Sequence, residues 1–192
     1  MNLSIKEKVY GAIFGYAIGD ALGLGAEFMT RQEIKKRYPE GLRHYSQIVR
    51  DAHRSQWKRG EWTNDTEIIL MLLESIAETK TIDCIDFASR LKKWYLSNPT
   101  DITHNLRWVL SQEDFTRNPF ESTKRVWEKM KSFDSTSECI GRALFTGMWN
   151  DNYERHAIDM CRLTHPQSRC ETSCLVMATM SHSLFWNNGE SS

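Results

Sequence analysis

The sequence lacks an excess of charge of either sign. Its 192 residues include 25 Lys and Arg and 25 Asp and Glu, so the formal net charge is zero. Proteins that bind nucleic acids or anionic membranes usually carry a basic excess, so neither partner is expected. No stretch approaches the roughly 20 consecutive apolar residues that a membrane-spanning helix needs.

Signals for secretion and for a disulfide framework are also weak. The uncharged run from Val9 to Gly19 follows two lysines, but Glu7 lies in the basic flank and Asp20 ends the run, which a signal peptide would not favour. Five cysteines are an odd number. Reduced thiols in a cytoplasmic protein are the simpler interpretation.

Alternating strand patterns, fixed-period repeats and low-complexity linkers are absent as well. What recurs is helical signal, including two capping boxes, Ser4-x-x-Glu7 and Thr30-x-x-Glu33, and an apolar stripe over 68–77. Further helices are predicted after Asp83, around 106–110, after Pro119, and over 137–149, 153–163 and 168–186. The aperiodic segment 43–60 predicts an ordered loop. The predicted fold is therefore all-α, with one multi-helix domain over residues 1–192.

Glycines recur every four residues at Gly11, Gly15 and Gly19. This spacing places them on one face of the first helix, where each costs about 1 kcal/mol relative to Ala. Close packing against another element would offset that cost. Approach of a ligand to the helix end, beside the acids Asp20 and Glu27, is the second interpretation.

A run of hydroxyl, amide and carboxylate side chains precedes the apolar helix. It comprises Thr63, Asn64, Asp65 and Thr66. Such residues cap helices well, but oxygen atoms are also the ligands that hard divalent cations prefer. Asp101 follows Asn98-Pro99 and, by itself, predicts a turn residue or a helix cap.

Taken together and in order, these features resemble the ADP-ribosylglycohydrolase family. The segments that carry the resemblance are Gly11 to Gly23, Glu27-Phe28, Trp62 to Thr66, Asp101-Ile102, Thr146-Gly147 and Leu163 to Cys174. The resemblance implies an all-α fold and hydrolysis of the glycosidic bond between ADP-ribose and a protein side chain or small acceptor, with Mg²⁺ or Mn²⁺. By similarity the acting residues are Thr63, Asn64 and Asp65 as metal ligands, Glu27 and Asp101 in catalysis, and Asp20, Gly141 and His165 in substrate binding.

Three departures from the family pattern support a second hypothesis. Asn64 stands where the family has Asp and brings no charge, so metal affinity should fall. Ile140 and Phe145 replace a polar Asn and Arg. Family members also continue past this length into a second Asp-x-Asp cluster, so the domain is expected to be incomplete at its C-terminal end, with an apolar face for a second copy or a partner chain. The chain is then a hydrolase or a catalytically degenerate member that binds ADP-ribose or a protein. A truncated fragment that folds poorly alone is the third hypothesis.

A soft-metal site is a competing interpretation of the last third. Cys161, His165, Cys170 and Cys174 lie within fourteen residues, which is compatible with zinc. Zinc sites usually use tighter cysteine pairs, however. A packing or helix-end role is the alternative for His165.

Overall fold

The structure is a computed structural model that describes residues 3–130, 136–149 and 151–186. Within these ranges it contains α-helices and short 3-10 helices and no β-strand, which confirms the all-α prediction. The α-helices are α1 (Ile5–Gly23), α2 (Arg31–Arg37), α3 (Asn64–Thr79), α4 (Cys84–Leu96), α5 (His104–Ser111), α6 (Pro119–Lys129), α7 (Glu138–Gly147), α8 (Tyr153–Arg162) and α9 (Ser168–Trp186). None of these helices is long and apolar enough to cross a membrane.

The chain divides by its internal contacts into two compact units, residues 1–67 and residues 68–192. Unit 1 contains α1, α2 and the first turn of α3, and unit 2 contains the remainder of α3 and the helices that follow it. The expectation of one domain over 1–192 stays a prediction.

Both predicted capping boxes are confirmed. Ser4 Oγ accepts a hydrogen bond from the backbone N–H of Glu7 at 3.3 Å, and the Glu7 carboxylate accepts one from the Ser4 N–H at 2.8 Å. Thr30 and Glu33 make the same reciprocal pair at 3.2 and 2.7 Å. Each box satisfies N–H groups that a helix start leaves without partners.

The predicted ordered loop, residues 43–60, folds into two 3-10 helices, Tyr45–Gln47 and Arg54–Gln56. Its side chains contribute to the core of unit 1, where Ile48 and Trp57 are buried. Gly25 closes this core, because a Cβ at that position would lie 2.5 Å from Leu42 Cδ2. Any side chain at Gly25 would therefore have to displace the side chain of Leu42.

The glycine stripe of α1 does not behave as the packing interpretation predicts. No heavy atom among the described residues of unit 1 lies within 4 Å of a Cβ built at Gly11, Gly15 or Gly19. Within unit 1, therefore, the predicted close packing is absent. The neighbouring side chains of Tyr10 and Phe14 are 50% and 63% exposed, so this part of α1 is open.

Unit 2 contains a close three-helix contact among α7, α8 and α9. Small buried side chains fill it, namely Cys139, Ala143, Ala157, Cys161, Cys170, Cys174 and Ala178. Gly147 allows α7 and α9 to meet, because a Cβ there would lie 2.3 Å from the carbonyl oxygen of Ala178. This packing explains why four of the five cysteines lie in the last third of the sequence.

Candidate active site

The carboxylate of Asp20 organises the start of α3 in unit 1. Its Oδ2 accepts hydrogen bonds from the backbone N–H groups of Thr63 and Thr66 at 2.9 and 3.1 Å. The two threonine hydroxyls donate to Oδ1 and Oδ2 at 2.7 and 2.6 Å. Asp20 therefore serves as a cap that reaches α3 from another helix.

This contact explains an acidic residue at an unfavourable place. Asp20 lies in the last turn of α1, where the helix dipole disfavours negative charge. The same carboxylate lies at the N-terminus of α3, where backbone N–H groups favour an anion. An acid at the carboxyl end of a helix was the signal in the sequence that Asp20 has a partner elsewhere. Its predicted role in substrate binding stays a prediction.

The predicted metal-binding residues lie together on the first turn of α3. Thr63 and Asn64 are buried, and Asp65 is partly buried. Because the Thr63 hydroxyl donates its hydrogen to Asp20, its oxygen can present a lone pair to another group, and the Asp65 N–H approaches it at 3.4 Å.

This donor set fits a hard divalent cation, since it combines a hydroxyl, an amide and a carboxylate oxygen. It is a partial set, however. In the described residues of unit 1, no three Asp, Glu, His or Cys side chains bring their ligand atoms within 4.8 Å of one another.

Glu27 lies in the turn between α1 and α2. Its Oε2 is 2.8 Å from Nε2 of His53, which belongs to the loop over residues 43–60. The His53 ring contacts two aromatic rings, with centroids 5.1 Å from Phe28 and 5.2 Å from Trp57. These ring contacts, above all the one with the buried Trp57, restrict the imidazole that contacts the Glu27 carboxylate.

Glu27 also lines a cavity of about 250 Å³ in unit 1. The other polar side chains around it are Glu33, Arg37, Asp51, His53 and Arg54. The cavity is smaller than the roughly 300–1,000 Å³ of pockets that enclose whole drug-sized ligands. It therefore has room for only part of a drug-sized ligand. Phe28, at its edge, is 84% exposed and has a positive φ of 57°.

The remaining predicted site residues lie in unit 2. Asp101 is in the segment before α5, but the cap of that helix is Thr103, so the helix-cap alternative for Asp101 is wrong. Gly141 is buried inside α7. His165 is fully buried, and its Nδ1 and Nε2 lie 2.7 Å from the hydroxyls of Thr164 and Thr136.

Glu138 contacts both His165 and the segment before α5. Its carboxylate accepts hydrogen bonds from Thr103 and Thr136 and lies 3.6 Å from His165 Nε2. Burial raises the pKa of Glu138. The guanidinium of Arg142, one turn along α7, donates to Thr164 Oγ1 at 2.5 Å, while its Nε has no partner among the described residues. The sequence interpretation included neither Glu138 nor Arg142.

Burial lowers the pKa of His165 from its ordinary value of 6.5 to about 4, and the nearby Arg142 acts in the same direction. Between these two values the unfolded chain binds a proton that the folded chain does not, so stability falls as the pH is lowered. We expect a loss of up to about 3 kcal/mol in the free energy of unfolding between pH 7 and pH 4.

Denaturant unfolding of the wild type and of His165→Gln at several pH values tests this expectation. The variant should show a shallower pH dependence, whereas the exposed-histidine control His104→Gln should follow the wild type. Equal pH dependence in all three proteins would contradict the assignment.

The structure assembles a different set of soft ligands from the predicted zinc set. The thiols of Cys139, Cys161 and Cys174 lie within 4.8 Å of one another, and all are buried. Cys170 is not part of the group, and the His165 nitrogens lie against hydroxyls. Cys161 also donates to the His165 carbonyl at 3.2 Å. The arrangement is that of small apolar side chains at a close helix contact.

Comparison with known proteins identifies the family to which the chain belongs. The family model for ADP-ribosylglycohydrolase matches residues 1–192. The chain therefore belongs to the ADP-ribosylglycohydrolase family.

Individual relatives are distant. The ADP-ribosyl-[dinitrogen reductase] glycohydrolase of Rhodospirillum rubrum is 29% identical over 192 residues, which covers 97% of this chain and 60% of that protein. The ADP-ribosylarginine hydrolase Tri1 of Serratia proteamaculans is 34% identical over 89 residues, covering 46% of this chain and 22% of that protein. An uncharacterized protein of Archaeoglobus fulgidus is 41% identical over 95 residues, covering 48% of this chain and 28% of that protein. The chain thus spans 60% or less of the length of these relatives.

Proposed function

We propose that the chain hydrolyses the glycosidic bond between ADP-ribose and a protein side chain or small acceptor, with a divalent cation. The observation that carries the proposal is the first turn of α3, where Asp20 holds Thr63 with two hydrogen bonds beside Asn64 and Asp65. The relatives from R. rubrum and S. proteamaculans are named for action on ADP-ribosylated substrates. An ADP-ribosylated protein is accordingly the proposed substrate, and the cytoplasm is the proposed location.

The metal ligands in this proposal are Thr63, Asn64 and Asp65. When bound there, Mg²⁺ or Mn²⁺ would polarise substrate oxygens and stabilise developing negative charge. Asp20 stabilises this turn, because its carboxylate accepts hydrogen bonds from the backbone N–H and the hydroxyl of Thr63. The hydroxyl hydrogen is directed at Asp20, so the lone pairs of the oxygen would be available to a cation.

Glu27 is the proposed group that moves the proton. Hydrolysis breaks the bond from the anomeric carbon of ribose to the acceptor atom and forms a bond from that carbon to a water oxygen. The Glu27 carboxylate accepts one proton of the attacking water and returns it to the leaving acceptor atom, so the carboxylate is regenerated. His53 orients this carboxylate through its 2.8 Å contact. Asp101 is the proposed second acid, and Gly141 and His165 are proposed substrate-binding residues.

A second candidate function is ADP-ribose binding without hydrolysis. Asn64 favours it, because an amide in the metal turn supplies an oxygen ligand but no negative charge. A more weakly held cation would still orient a ligand while contributing less to the reaction. The two candidates differ in whether ADP-ribose is released.

Calorimetric titration with Mg²⁺, in the presence and absence of ADP-ribose, tests the metal site. Asp65→Asn is expected to weaken Mg²⁺ binding by about tenfold or more, because it removes the one carboxylate among the three proposed ligands. The control Glu67→Gln neutralises an exposed acid two residues further along α3 and should bind like the wild type. Equal Mg²⁺ affinity in Asp65→Asn and the wild type would contradict the assigned ligands.

A further inference from the structure

The turn that carries Glu27 is short and tightly folded. Its N–H groups donate to carbonyls three or four residues earlier in the chain. Gly25 donates to Leu22 at 2.9 Å, Glu27 to Gly23 at 3.1 Å, and Met29 to Ala26 at 3.1 Å. Two carbonyls of the turn, those of Leu24 and Glu27, accept instead from a side chain of the distant loop. That side chain is Arg54.

Arg54 is 4% exposed, which is rare for an arginine. Its Nε donates to the Leu24 carbonyl at 2.9 Å, and its Nη2 donates to the Glu27 carbonyl. Its Nη1 is 2.5 Å from the carboxylate of Asp51. The rigid, planar guanidinium thus joins two carbonyls three residues apart while its charge is balanced by Asp51.

The residue beside Arg54 completes the arrangement. His53 contacts the Glu27 carboxylate, and Arg54 contacts the Glu27 backbone. Both side chains extend from one 3-10 turn, Arg54–Gln56 with His53 before it, so their spacing is fixed by local backbone structure. Trp57 directly follows that turn in the chain and is 6% exposed, and its ring makes an edge contact with the His53 ring.

We propose that Arg54 and His53 are positioning residues that fix Glu27 for the reaction, Arg54 through the backbone of its turn and His53 through its carboxylate. The inference rests on the proposed function for its catalytic consequence, but the contact it describes belongs to unit 1 alone. A carboxylate on a turn between two helices would otherwise adopt several rotamers. Fixing both its backbone and its side chain removes that freedom before substrate binds.

Hydrogen exchange tests the positioning without relying on activity. In Arg54→Met the amides of Glu27 and Met29 are expected to exchange at least about tenfold faster, while amides of α1 keep their protection. Arg90→Met is the control, because Arg90 is half-buried and paired with Glu78 and Asp86 but lies in unit 2. Arg54→Lys keeps the charge and serves where Arg54→Met does not fold.

Unchanged exchange at Glu27 and Met29 in both Arg54 variants would overturn the proposal, and so would a uniform loss of protection across unit 1. Hydrogen exchange tests the positioning of Glu27 independently of activity. A wild type that releases no ADP-ribose would count against the proposed function but not against the positioning.

Kinetics separate positioning from a general structural role. His53→Leu is expected to lower kcat by about tenfold with little change in KM, since a mispositioned group costs rate rather than binding. His53→Gln keeps an N–H donor near the position of Nε2 and should recover most of the lost rate. Equal losses in His53→Leu and His53→Gln, or a loss carried by KM, would overturn the role of His53.

Discussion

Replacing Glu27 with glutamine is expected to lower the rate of ADP-ribose release by about a hundredfold to a thousandfold. Glutamine has nearly the same shape, so the turn between α1 and α2 should be retained. The amide cannot accept a proton from water, however, and general-base catalysis of that step is lost. The effect should fall on kcat, because the change removes an interaction needed in the transition state.

Glu33 provides the matched control in the same cavity. Its carboxylate is committed to the capping box with Thr30, at 2.7 Å from both the backbone nitrogen and the hydroxyl oxygen. Glu33→Gln should therefore change the rate by less than about threefold. A Glu27→Gln variant that retains more than a third of the wild-type rate would contradict the catalytic assignment.

Replacing Asp20 with alanine is expected to lower the free energy of unfolding by about 4 kcal/mol. The change removes an acceptor of hydrogen bonds from two backbone N–H groups and two hydroxyls, and it leaves buried donors at Thr63 and Thr66 without it. It also removes a negative charge from the N-terminus of α3, where the helix dipole favours an anion. Denaturant unfolding measures the effect directly.

Asp83 is the matched control for Asp20. It caps α4 by accepting hydrogen bonds from the N–H groups of Ile85 and Asp86 at 2.8 and 3.0 Å. Asp83→Ala should cost about 1 kcal/mol, as an ordinary cap does. Asp20→Asn should fall between the two alanine variants, since its amide retains one acceptor oxygen. If Asp20→Ala costs no more than Asp83→Ala, the contact with α3 does not stabilise the protein as described.

Local structure could be predicted from the sequence because its causes are local. The capping boxes at Ser4 and Thr30 join residues three apart, and both are present. Pro119 opens α6 as predicted, and α9 has the predicted bounds of Ser168–Trp186. In each case the residues that decide the structure lie within one or two helical turns.

Non-local contacts escaped the sequence interpretation. Asp20 meets Thr63 across 43 residues, and Arg54 meets Leu24 across 30. No spacing rule connects such pairs, although the unfavourable position of Asp20 in α1 was a usable signal. The aperiodic loop gave no sign that Arg54 would be buried. The glycine stripe misled for a related reason, because helical spacing defines a face but does not say what lies against it.

The most direct test of the central claim is release of ADP-ribose from an ADP-ribosylated protein by the purified chain, followed with Mg²⁺ and with EDTA. The account predicts release that requires Mg²⁺ and that falls sharply in Glu27→Gln and Asp65→Asn. No release by a folded protein that still binds Mg²⁺ and ADP-ribose would contradict hydrolysis and favour the binding function. Release that is unchanged by EDTA would contradict the metal site itself.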